Sequence, residues 1–426
     1  MALPHLSMGA PMSALKPCTI GPDGLPIVVA PYAWSLLPET PLGTYGGLCP
    51  PIQEEKPVLS PPLRSRQRVA RYQLQSVARS ALRGRRWQRL AGCRRRRAVH
   101  QLEGGKLEEY ASVDIMYVPE QRRAYYAHLQ TCGSPWVCPP CSAAIYDRRR
   151  AEVAAALDWA RSNGKRVQLV TFTASHKLGE PLAPFLAALA AAMREVFRHR
   201  PFERFKDAVG YIGSIKAVEV TYGANGWHAH FHALWLSDFG TEQAVTAFAS
   251  PAWRAALQKG GLTASVRRGV VVKDSSMDAE EYLAKFEHER GWDLDAELTM
   301  WGRKVGSKGL SPWDLLRLNT PEALALYAEY AAATFGKSSI RFSPGLKDLV
   351  GITTVTDDQA AAAETGGAVG QLLASLYPVD WAVVLANDCR GELEDVADSG
   401  DLAAVSAFLA SIGVQLHSER ELEYAW

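Results

Sequence analysis

Three histidines stand within five residues of one another, at His228, His230 and His232. If this segment is a strand, side chains at every second position point to the same side, so all three imidazoles share one face. Imidazoles crowded in this way repel one another when protonated, and a shared divalent cation relieves the repulsion. The spacing therefore predicts a metal site, in preference to a purely structural histidine patch.

A hairpin would bring a carboxylate to the same site. Residues 211–222 and 227–236 are predicted strands, joined by a Gly-Ala-Asn-Gly sequence that is typical of a tight turn. Centring the turn within that sequence places Glu219 opposite His230, unless a bulge shifts the register. A carboxylate beside two imidazoles suits Mn²⁺ or Mg²⁺ in a site that binds phosphate oxygen. The alternative is a Glu219 that simply faces solvent.

A tyrosine further along the chain has the surroundings of a nucleophile. Residues 278–289 are predicted to form a helix, which would put Asp278, Tyr282 and Lys285 on one face. A neighbouring cation favours the phenolate and helps to bind phosphate. Taken alone, the segment is more commonly explained by an amphipathic helix with a packed tyrosine and a surface ion pair.

A cysteine cluster precedes these elements. Cys132, Cys138 and Cys141 have the spacing of a structural Zn²⁺ site, in which the Cys-Pro-Pro-Cys sequence forms the knuckle. The fourth ligand could be His128 or Cys93. The alternative is a loop that contains three reduced thiols.

Charge is distributed very unevenly, although 47 Lys+Arg and 45 Asp+Glu leave a net charge of only +2. Residues 64–97 contain 13 arginines and no acidic residue, whereas residues 341–426 contain 14 acidic and 4 basic residues. Dense arginines bind phosphates and release counterions, and Tyr72 and Trp87 could stack on bases. Residues 64–100 are therefore predicted to bind nucleic acid and to become helical on binding, with a solvated arm as the alternative. The predicted DNA contacts are Arg94, Arg95, Arg96, Arg97 and Trp227.

The residues that could do chemistry need a scaffold, and hydrophobic periodicity predicts one. Besides the two hairpin strands and the tyrosine helix, the predicted elements are a helix that ends at residue 163, a strand at 167–175, helices at 181–199 and 241–258, and a strand at 265–273. The order β-α-β-β-α-β-α predicts an α+β fold with a ferredoxin-like or RRM-like antiparallel sheet and helices on one face.

Composition excludes other classes of protein. With 47% hydrophobic residues the chain is not wholly disordered, and no run of about eighteen apolar residues predicts a membrane span. We expect a cytoplasmic protein, because no signal peptide is evident and seven cysteines are too few for a disulfide scaffold.

Residues 1–63 are rich in Pro and Gly and are predicted to be largely unstructured. Residues 351–426 form an acidic, mainly helical region with a loop around residues 353–367. The sequence TFGKS at 334–338 lacks the features of a phosphate loop, so Gly336 is predicted to end a helix.

Taken together, the motifs resemble the rolling-circle replication initiators of bacterial plasmids, in the HUH endonuclease superfamily. The segments TFTAS, WHAHFH and YLAK occur in that order, and the resemblance covers roughly residues 125–350. It implies that His230 and His232 bind the metal and that Tyr282 is the nucleophile. Lys285 matches the companion of that tyrosine in the family.

The resemblance leaves the third metal ligand open between Glu219, which is similar to an additional acidic ligand of related initiators, and His228. It implies an HUH catalytic domain over residues 151–350, preceded by a zinc-binding region at 125–150. The implied reaction nicks plasmid origin DNA, single-stranded or in a hairpin, and leaves a 5′-phosphotyrosyl enzyme. A carboxylate would activate water to end the cycle, Asp278 first and Glu281 after it. A host helicase and polymerase would be partners in the bacterial cytoplasm.

Three other classes of protein fit the sequence less well. A two-tyrosine transposase of the same superfamily would have a second tyrosine where Phe286 stands, and a conjugative relaxase normally places its tyrosine before the histidines. A zinc-containing DNA-binding regulator that does not cut would explain the arginines and cysteines. It would leave three co-facial histidines and the tyrosine helix without a role. The sequence therefore predicts a nicking endonuclease.

Overall fold

The described part of the chain comprises residues 61–198, 200–274, 309–363 and 370–416 of a computed structural model. These residues belong to one compact unit that spans residues 59–426. Within the described ranges, no helix combines the length and the apolar character needed to cross a membrane.

A long antiparallel hairpin organises the structure. Its two strands have 13 and 12 residues and alternate between buried and more exposed side chains. Gly226 has a φ of 85°, the left-handed conformation that a tight turn between antiparallel strands requires. The strands of the whole structure are β1 (Val99–Gln101), β2 (Leu107–Glu109), β3 (Val113–Val118), β4 (Arg123–Ala127), β5 (Arg166–Thr173), β6 (Tyr211–Gly223), β7 (Gly226–Ser237), β8 (Val270–Asp274), β9 (Ile340–Phe342) and β10 (Gln371–Leu376).

The hairpin strands β6 and β7 lie inside a five-stranded antiparallel sheet of order β8-β5-β7-β6-β9. A second sheet has the order β10-β3-β4, and β1 pairs with β2. The α-helices are α1 (Pro61–Ala81), α2 (Gln88–Gly92), α3 (Pro139–Ser162), α4 (Leu182–Val196), α5 (Arg200–Val209), α6 (Glu242–Lys259), α7 (Pro312–Leu318), α8 (Pro321–Thr334), α9 (Leu346–Leu349), α10 (Asp357–Ala362), α11 (Pro378–Ala386), α12 (Arg390–Ala397) and α13 (Leu402–Ser411).

The two faces of the five-stranded sheet have different coverings. On one face Phe172, Phe231 and Trp235 are buried beneath α4, α5 and α6 in the largest hydrophobic core. On the other face α3 packs over Leu234 and Leu236. Burial of each such side chain contributes roughly 2 kcal/mol, which fixes the strand register. The even-numbered residues of β7 continue along this second face, beyond the leucines.

The three-stranded sheet has a hydrophobic core of its own. Ile115 of β3 and Leu376 of β10 pack against Leu393 of α12 and Leu409 of α13. Antiparallel pairing of β10 with β3 joins segments that are more than 250 residues apart in the sequence.

The basic and acidic ends of the described chain meet where α1 lies against α12. Arg68 forms ion pairs with Asp395 at 2.8 Å and with Asp398 at 3.1 Å, and its side chain is 10% exposed. The hydroxyl of Tyr72 donates a hydrogen bond of 3.0 Å to Glu394. We call these contacts the α1–α12 clasp. Part of the basic segment therefore neutralises carboxylates of the same chain.

The structure confirms the α+β class, the antiparallel sheet and the hairpin, and it corrects other expectations. Helices cover both faces of the sheet rather than one, and α5 is an additional helix. The acidic region also contributes strand β10, and α10 forms within the predicted loop at 353–367. Helix α8 ends at Thr334, and Gly336 has the φ of 70° that favours glycine after a helix end, as predicted. Most of residues 1–63 and the predicted helix 278–289 lie outside the described residues.

Candidate metal centres

The β6–β7 hairpin brings Glu219, His230 and His232 together on one face of the sheet. The register pairs Glu219 with His230, as the turn sequence predicted. The Oε2 atom of Glu219 lies 2.7 Å from Nε2 of His230 and 3.2 Å from Nε2 of His232. The two Nε2 atoms are 2.8 Å apart. The side chains are 11% to 15% exposed, so the group is open to solvent on one side.

These separations fit three ligands of one divalent cation. Ligand atoms at about 2.1 Å from a cation lie about 3.0 Å apart when they occupy one face of an octahedron. A carboxylate with two imidazoles is a borderline donor set that accepts Mn²⁺ or Mg²⁺. Three ligands on one face leave the opposite positions for substrate oxygen and water. We call this group the Glu-His-His centre.

Strand β5 supplies a contact that orients one of the histidines. Thr171 pairs with His232 across β5 and β7, and its Oγ1 lies 3.1 Å from Nδ1 of His232. A partner at Nδ1 fixes the ring so that Nε2 points toward Glu219. Sequence reasoning missed Thr171, because its position follows only from the pairing of β5 with β7. The alternation in TFTAS was the available signal, since it places Thr171 and Thr173 on one face.

His228 lies on the same face but outside the group that could hold the cation. Its ring centroid is 5.0 Å from that of His230 and 4.9 Å from that of His176. Burial, together with those two neighbouring histidines, lowers the pKa of His228 to about 4. The structure therefore favours Glu219 over His228 as the third ligand.

The predicted nucleophile and its companions belong to the segment 275–308, which lies outside the described residues. They are Tyr282, Lys285, Asp278 and Glu281. On either side of the segment the chain is held by the five-stranded sheet. Asp274 pairs with Gln168 of β5, and Leu310 forms a bridge with Tyr222 of β6.

Four cysteines form a second, enclosed group. The Sγ atoms of Cys93, Cys132, Cys138 and Cys141 all lie within 4.8 Å of one another. The separations are 3.3 Å for Cys93 and Cys141, 3.6 Å for Cys93 and Cys138, and 3.8 Å for Cys132 and Cys141. Sulfur atoms at about 2.3 Å from Zn²⁺ in a tetrahedron lie about 3.8 Å apart. The geometry fits a structural zinc site, which we call the four-cysteine centre.

The surroundings of the four-cysteine centre place hydrogen-bond donors beside its sulfur atoms and favour a thiolate at Cys141. Cys138 is the N-cap of α3 and Cys141 lies in its first turn, where the helix dipole stabilises negative charge. Gln75 donates a hydrogen bond of 3.3 Å from Nε2 to Sγ of Cys138. The backbone N–H of Cys132 donates to Sγ of Cys93 at 3.4 Å. Hydrogen bonds from the three neighbouring thiols hold the pKa of Cys141 well below its usual value.

Of the two candidates for the fourth zinc ligand, Cys93 lies with the three other cysteines and His128 does not. The ring of His128 stacks on Tyr110, with centroids 4.0 Å apart and planes within 6°. Its Nδ1 lies 3.3 Å from Oδ2 of Asp114 on β3. His128 thus packs beside the three-stranded sheet, whereas the backbone after α2 carries Cys93 into the thiol cluster.

Most of the predicted arginine contacts serve the fold. Arg94 is only 2% exposed and donates a 2.7 Å hydrogen bond to a backbone carbonyl of α10. Arg97 pairs with Glu109 at 2.8 Å, and Arg95 is half-buried. Only Arg96 of the four is exposed. The other exposed arginines of this part of the segment lie before and within α2, at Arg83, Arg85, Arg86 and Arg89.

Two aromatic residues expected at the DNA surface belong to the core. Trp227 is 3% exposed, and its ring centroid lies 6.4 Å from that of Tyr330. Tyr72 is 4% exposed, beneath the guanidinium of Arg390 at 4.5 Å from its ring centroid. Neither ring can stack on a base, whereas Trp87 is only half-buried.

Comparisons with known proteins found two relatives from Streptomyces. The chain is 30% identical to a Streptomyces lividans protein named "Protein rep", over 53% of this chain and 64% of that protein. It is 32% identical to a Streptomyces cyanogenus protein named "Neomycin resistance protein", over 27% of this chain and 32% of that protein. The chain thus spans less than two thirds of either relative. No family model and no solved structure matches the chain.

Proposed function

We propose that this protein is a plasmid replication initiator that nicks one strand of origin DNA and starts rolling-circle replication. The Glu-His-His centre carries the proposal, because its three ligand atoms lie as close together as ligands on one face of an octahedral cation do. That arrangement suits a cation that binds a phosphate oxygen of the substrate. The similarity to "Protein rep" independently supports a role in replication.

The proposed reaction is a transesterification by Tyr282. The phenolic oxygen attacks the scissile phosphorus in line with the leaving 3′ oxygen. The new bond joins the tyrosine to the 5′ phosphate, and the broken bond releases a 3′-hydroxyl that serves as primer. A bound divalent cation would withdraw charge from the phosphate, which offsets the weak nucleophilicity of a tyrosine at neutral pH.

The residues of the two centres and of the segment 275–308 have distinct tasks in this proposal. His230, His232 and Glu219 hold the cation, and Thr171 keeps the ring of His232 oriented. Lys285 assists Tyr282, and Asp278 or Glu281 activates the water that ends the cycle. The four-cysteine centre holds Zn²⁺ and joins the arginine-rich segment to α3, which covers the catalytic sheet. We propose that residues 151–350 form the HUH catalytic domain and that a host helicase and polymerase extend the primer.

The test is an adduct assay on single-stranded origin DNA that is labelled at one end at a time. With Mn²⁺ or Mg²⁺, we expect a 3′ label to migrate with the protein and a 5′ label to appear in a shorter free strand. Tyr282→Phe should lose both products. His232→Ala should also lose them, because it removes a ligand of the cation. The matched controls are Tyr117→Phe on β3 and His100→Ala on β1, which should cleave as the wild type does.

The outcomes separate an enzyme from a regulator. A protein that binds origin DNA with high affinity but forms no adduct with any divalent cation would be the non-cutting zinc regulator. Cleavage that persists in Tyr282→Phe without an adduct would indicate hydrolysis by water and refute the phosphotyrosyl mechanism. Adducts whose position depends on terminal repeats rather than on an origin would favour a transposase.

A further inference from the structure

A cleft lies beside the four-cysteine centre, apart from the Glu-His-His centre. Its volume is about 340 Å³, within the range of small-ligand sites. One wall is formed by the short helix at Arg85–Trp87 and by α2, and the second by the loop from Cys132 to Val137. The end of α8 and the residues after it close the third side. We call it the Trp87 cleft.

Two aromatic rings form the apolar part of the cleft. Trp87 and Phe335 meet edge to face, with centroids 5.4 Å apart. Phe335 is 52% exposed although it is a large apolar side chain, and the left-handed Gly336 follows it. The guanidinium of Arg86 lies 5.2 Å from the centroid of the Phe335 ring. An exposed ring beside a guanidinium offers a stacking surface for a planar base.

Cations surround these rings, and the nearby carboxylates are already paired. Arg86, Arg89 and Lys337 line the cleft and are exposed. Arg89 and Asp358 form an ion pair and offset each other, and Asp357, which also lines the cleft, pairs with Arg149 of α3, so Arg86 and Lys337 supply the positive charge. Among the described residues, no carboxylate forms an ion pair with Arg83, Arg85 or Arg86. The cleft is therefore electropositive and complementary to phosphate.

The walls of the cleft are held in place before any ligand binds. The indole N–H of Trp136 donates a 2.6 Å hydrogen bond to the carbonyl of Lys337, which ties the cysteine loop to the end of α8. Ser134 accepts from the backbone N–H groups of Trp136 and Val137. Cys93, which follows α2, and Cys132, at the start of the cysteine loop, belong to the same four-cysteine centre and so connect two of the walls. A preformed site lowers the entropic cost of binding.

From these features we propose that the Trp87 cleft binds an unpaired nucleotide of single-stranded DNA. The base stacks on the exposed ring of Phe335, with Trp87 beside it at a right angle, and the flanking phosphates contact Arg86 and Lys337. A paired base cannot leave its stack to enter such a cleft, so the site selects the unwound strand over the duplex. The identification of the bound strand as origin DNA rests on the proposed function, whereas the binding chemistry does not.

The test uses a fluorescently labelled thymidine homopolymer and a duplex of equal length, so that no origin sequence is needed. Binding to the full-length protein is followed by fluorescence anisotropy, without added divalent cation and without a chelator that would remove zinc. Phe335→Ala should weaken single-strand binding about tenfold, the effect of one lost stacked base. Arg86→Ala should lower the slope of log affinity against log salt by about 0.7, the value for one phosphate of a single strand.

Matched controls keep the result interpretable. Phe239→Ala removes a ring that is even more exposed, at 74%, and Arg204→Ala removes an exposed arginine of α5. Both should bind like the wild type. Equal affinity of Phe335→Ala and the wild type, or equal losses on single strand and duplex, would overturn the inference. Adduct formation with origin DNA is measured on the same preparations. If the wild type forms adducts but Phe335→Ala binds the homopolymer as the wild type does, only the cleft inference is refuted. If the wild type forms no adduct but Phe335→Ala binds the homopolymer more weakly, only the proposed nicking is refuted.

Discussion

The identity of the fourth zinc ligand gives the sharpest test of the four-cysteine centre. We expect Cys93→Ser to lower zinc affinity strongly and His128→Ala to leave it unchanged. Structural zinc sites with four ligands bind with about 10–16 kcal/mol at neutral pH. Shared equally, each ligand accounts for roughly 2.5–4 kcal/mol, which corresponds to a loss of about 70- to 900-fold in affinity. The serine keeps the size of the side chain in a position that is 0% exposed.

Two measurements check this expectation. The metal content of the purified proteins, determined by mass spectrometry, should be one zinc per chain for the wild type and for His128→Ala. Competition with a chromophoric chelator should then extract zinc from Cys93→Ser at much lower chelator concentrations. Substitution with Co²⁺ adds a count of sulfur ligands, because the intensity of the sulfur-to-cobalt charge-transfer band grows with the number of thiolates.

One pattern would refute the reasoning. If His128→Ala lost zinc and Cys93→Ser retained it, His128 would be the fourth ligand. Its stacked position on Tyr110 could then not be the position in which it binds the metal. If neither protein carried metal under zinc-replete conditions, the four thiols would be a reduced hydrophobic cluster. The small separations of their Sγ atoms would then reflect only close packing.

Three further predictions concern charged groups on or near the five-stranded sheet. Glu219→Gln keeps the shape of the side chain but removes its charge, so Mn²⁺ affinity measured by calorimetry should fall at least tenfold while the zinc content stays constant. Glu152→Gln should lower the free energy of unfolding in urea by about 3 kcal/mol, because the 1% exposed carboxylate pairs with Arg149 at 2.9 Å and Lys347 at 2.8 Å; an unchanged midpoint would contradict this. Burial lowers the pKa of Lys216 to about 8, below the 10.5 of the unfolded chain. Between pH 8 and pH 10.5 the unfolded state therefore binds one more proton than the folded state, so the stability that depends on Lys216 rises with pH in this range. Lys216→Met should therefore be stabilising at pH 7, with the gain shrinking toward pH 10; a gain that is equal at both pH values would refute this assignment.

The Glu-His-His centre was predictable because its signals are local. A turn sequence and strict alternation determine which residues of one hairpin face each other, and both are visible within about twenty residues. The same alternation also contains the correction for Trp227. Trp227 has the parity of Ala229 and Phe231, which alternate with the three histidines, and the structure buries all three of these residues.

Long-range contacts account for what the sequence did not predict. The sequence left the fourth zinc ligand open between Cys93 and His128, because Cys93 lies 39 residues upstream of Cys132 and no short-range spacing rule includes it. Arg94 looks like its three neighbours in the sequence, yet a carbonyl of α10, 267 residues away, determines that it is buried. Charge density predicts an affinity for phosphates, but tertiary structure decides which arginines remain at the surface.

The α1–α12 clasp has a consequence for synthesis of the protein on the ribosome. Arg68 is made more than 320 residues before the carboxylates that neutralise it, and synthesis at about 5–20 residues per second separates the two by at least fifteen seconds. During that interval the nascent arginine helix has no acidic partner from α12, while ribosomal RNA and messenger RNA surround it. Until α12 is made, Arg68 lacks the carboxylates of residues 394–398, so a chain stopped before α12 would leave this guanidinium without them.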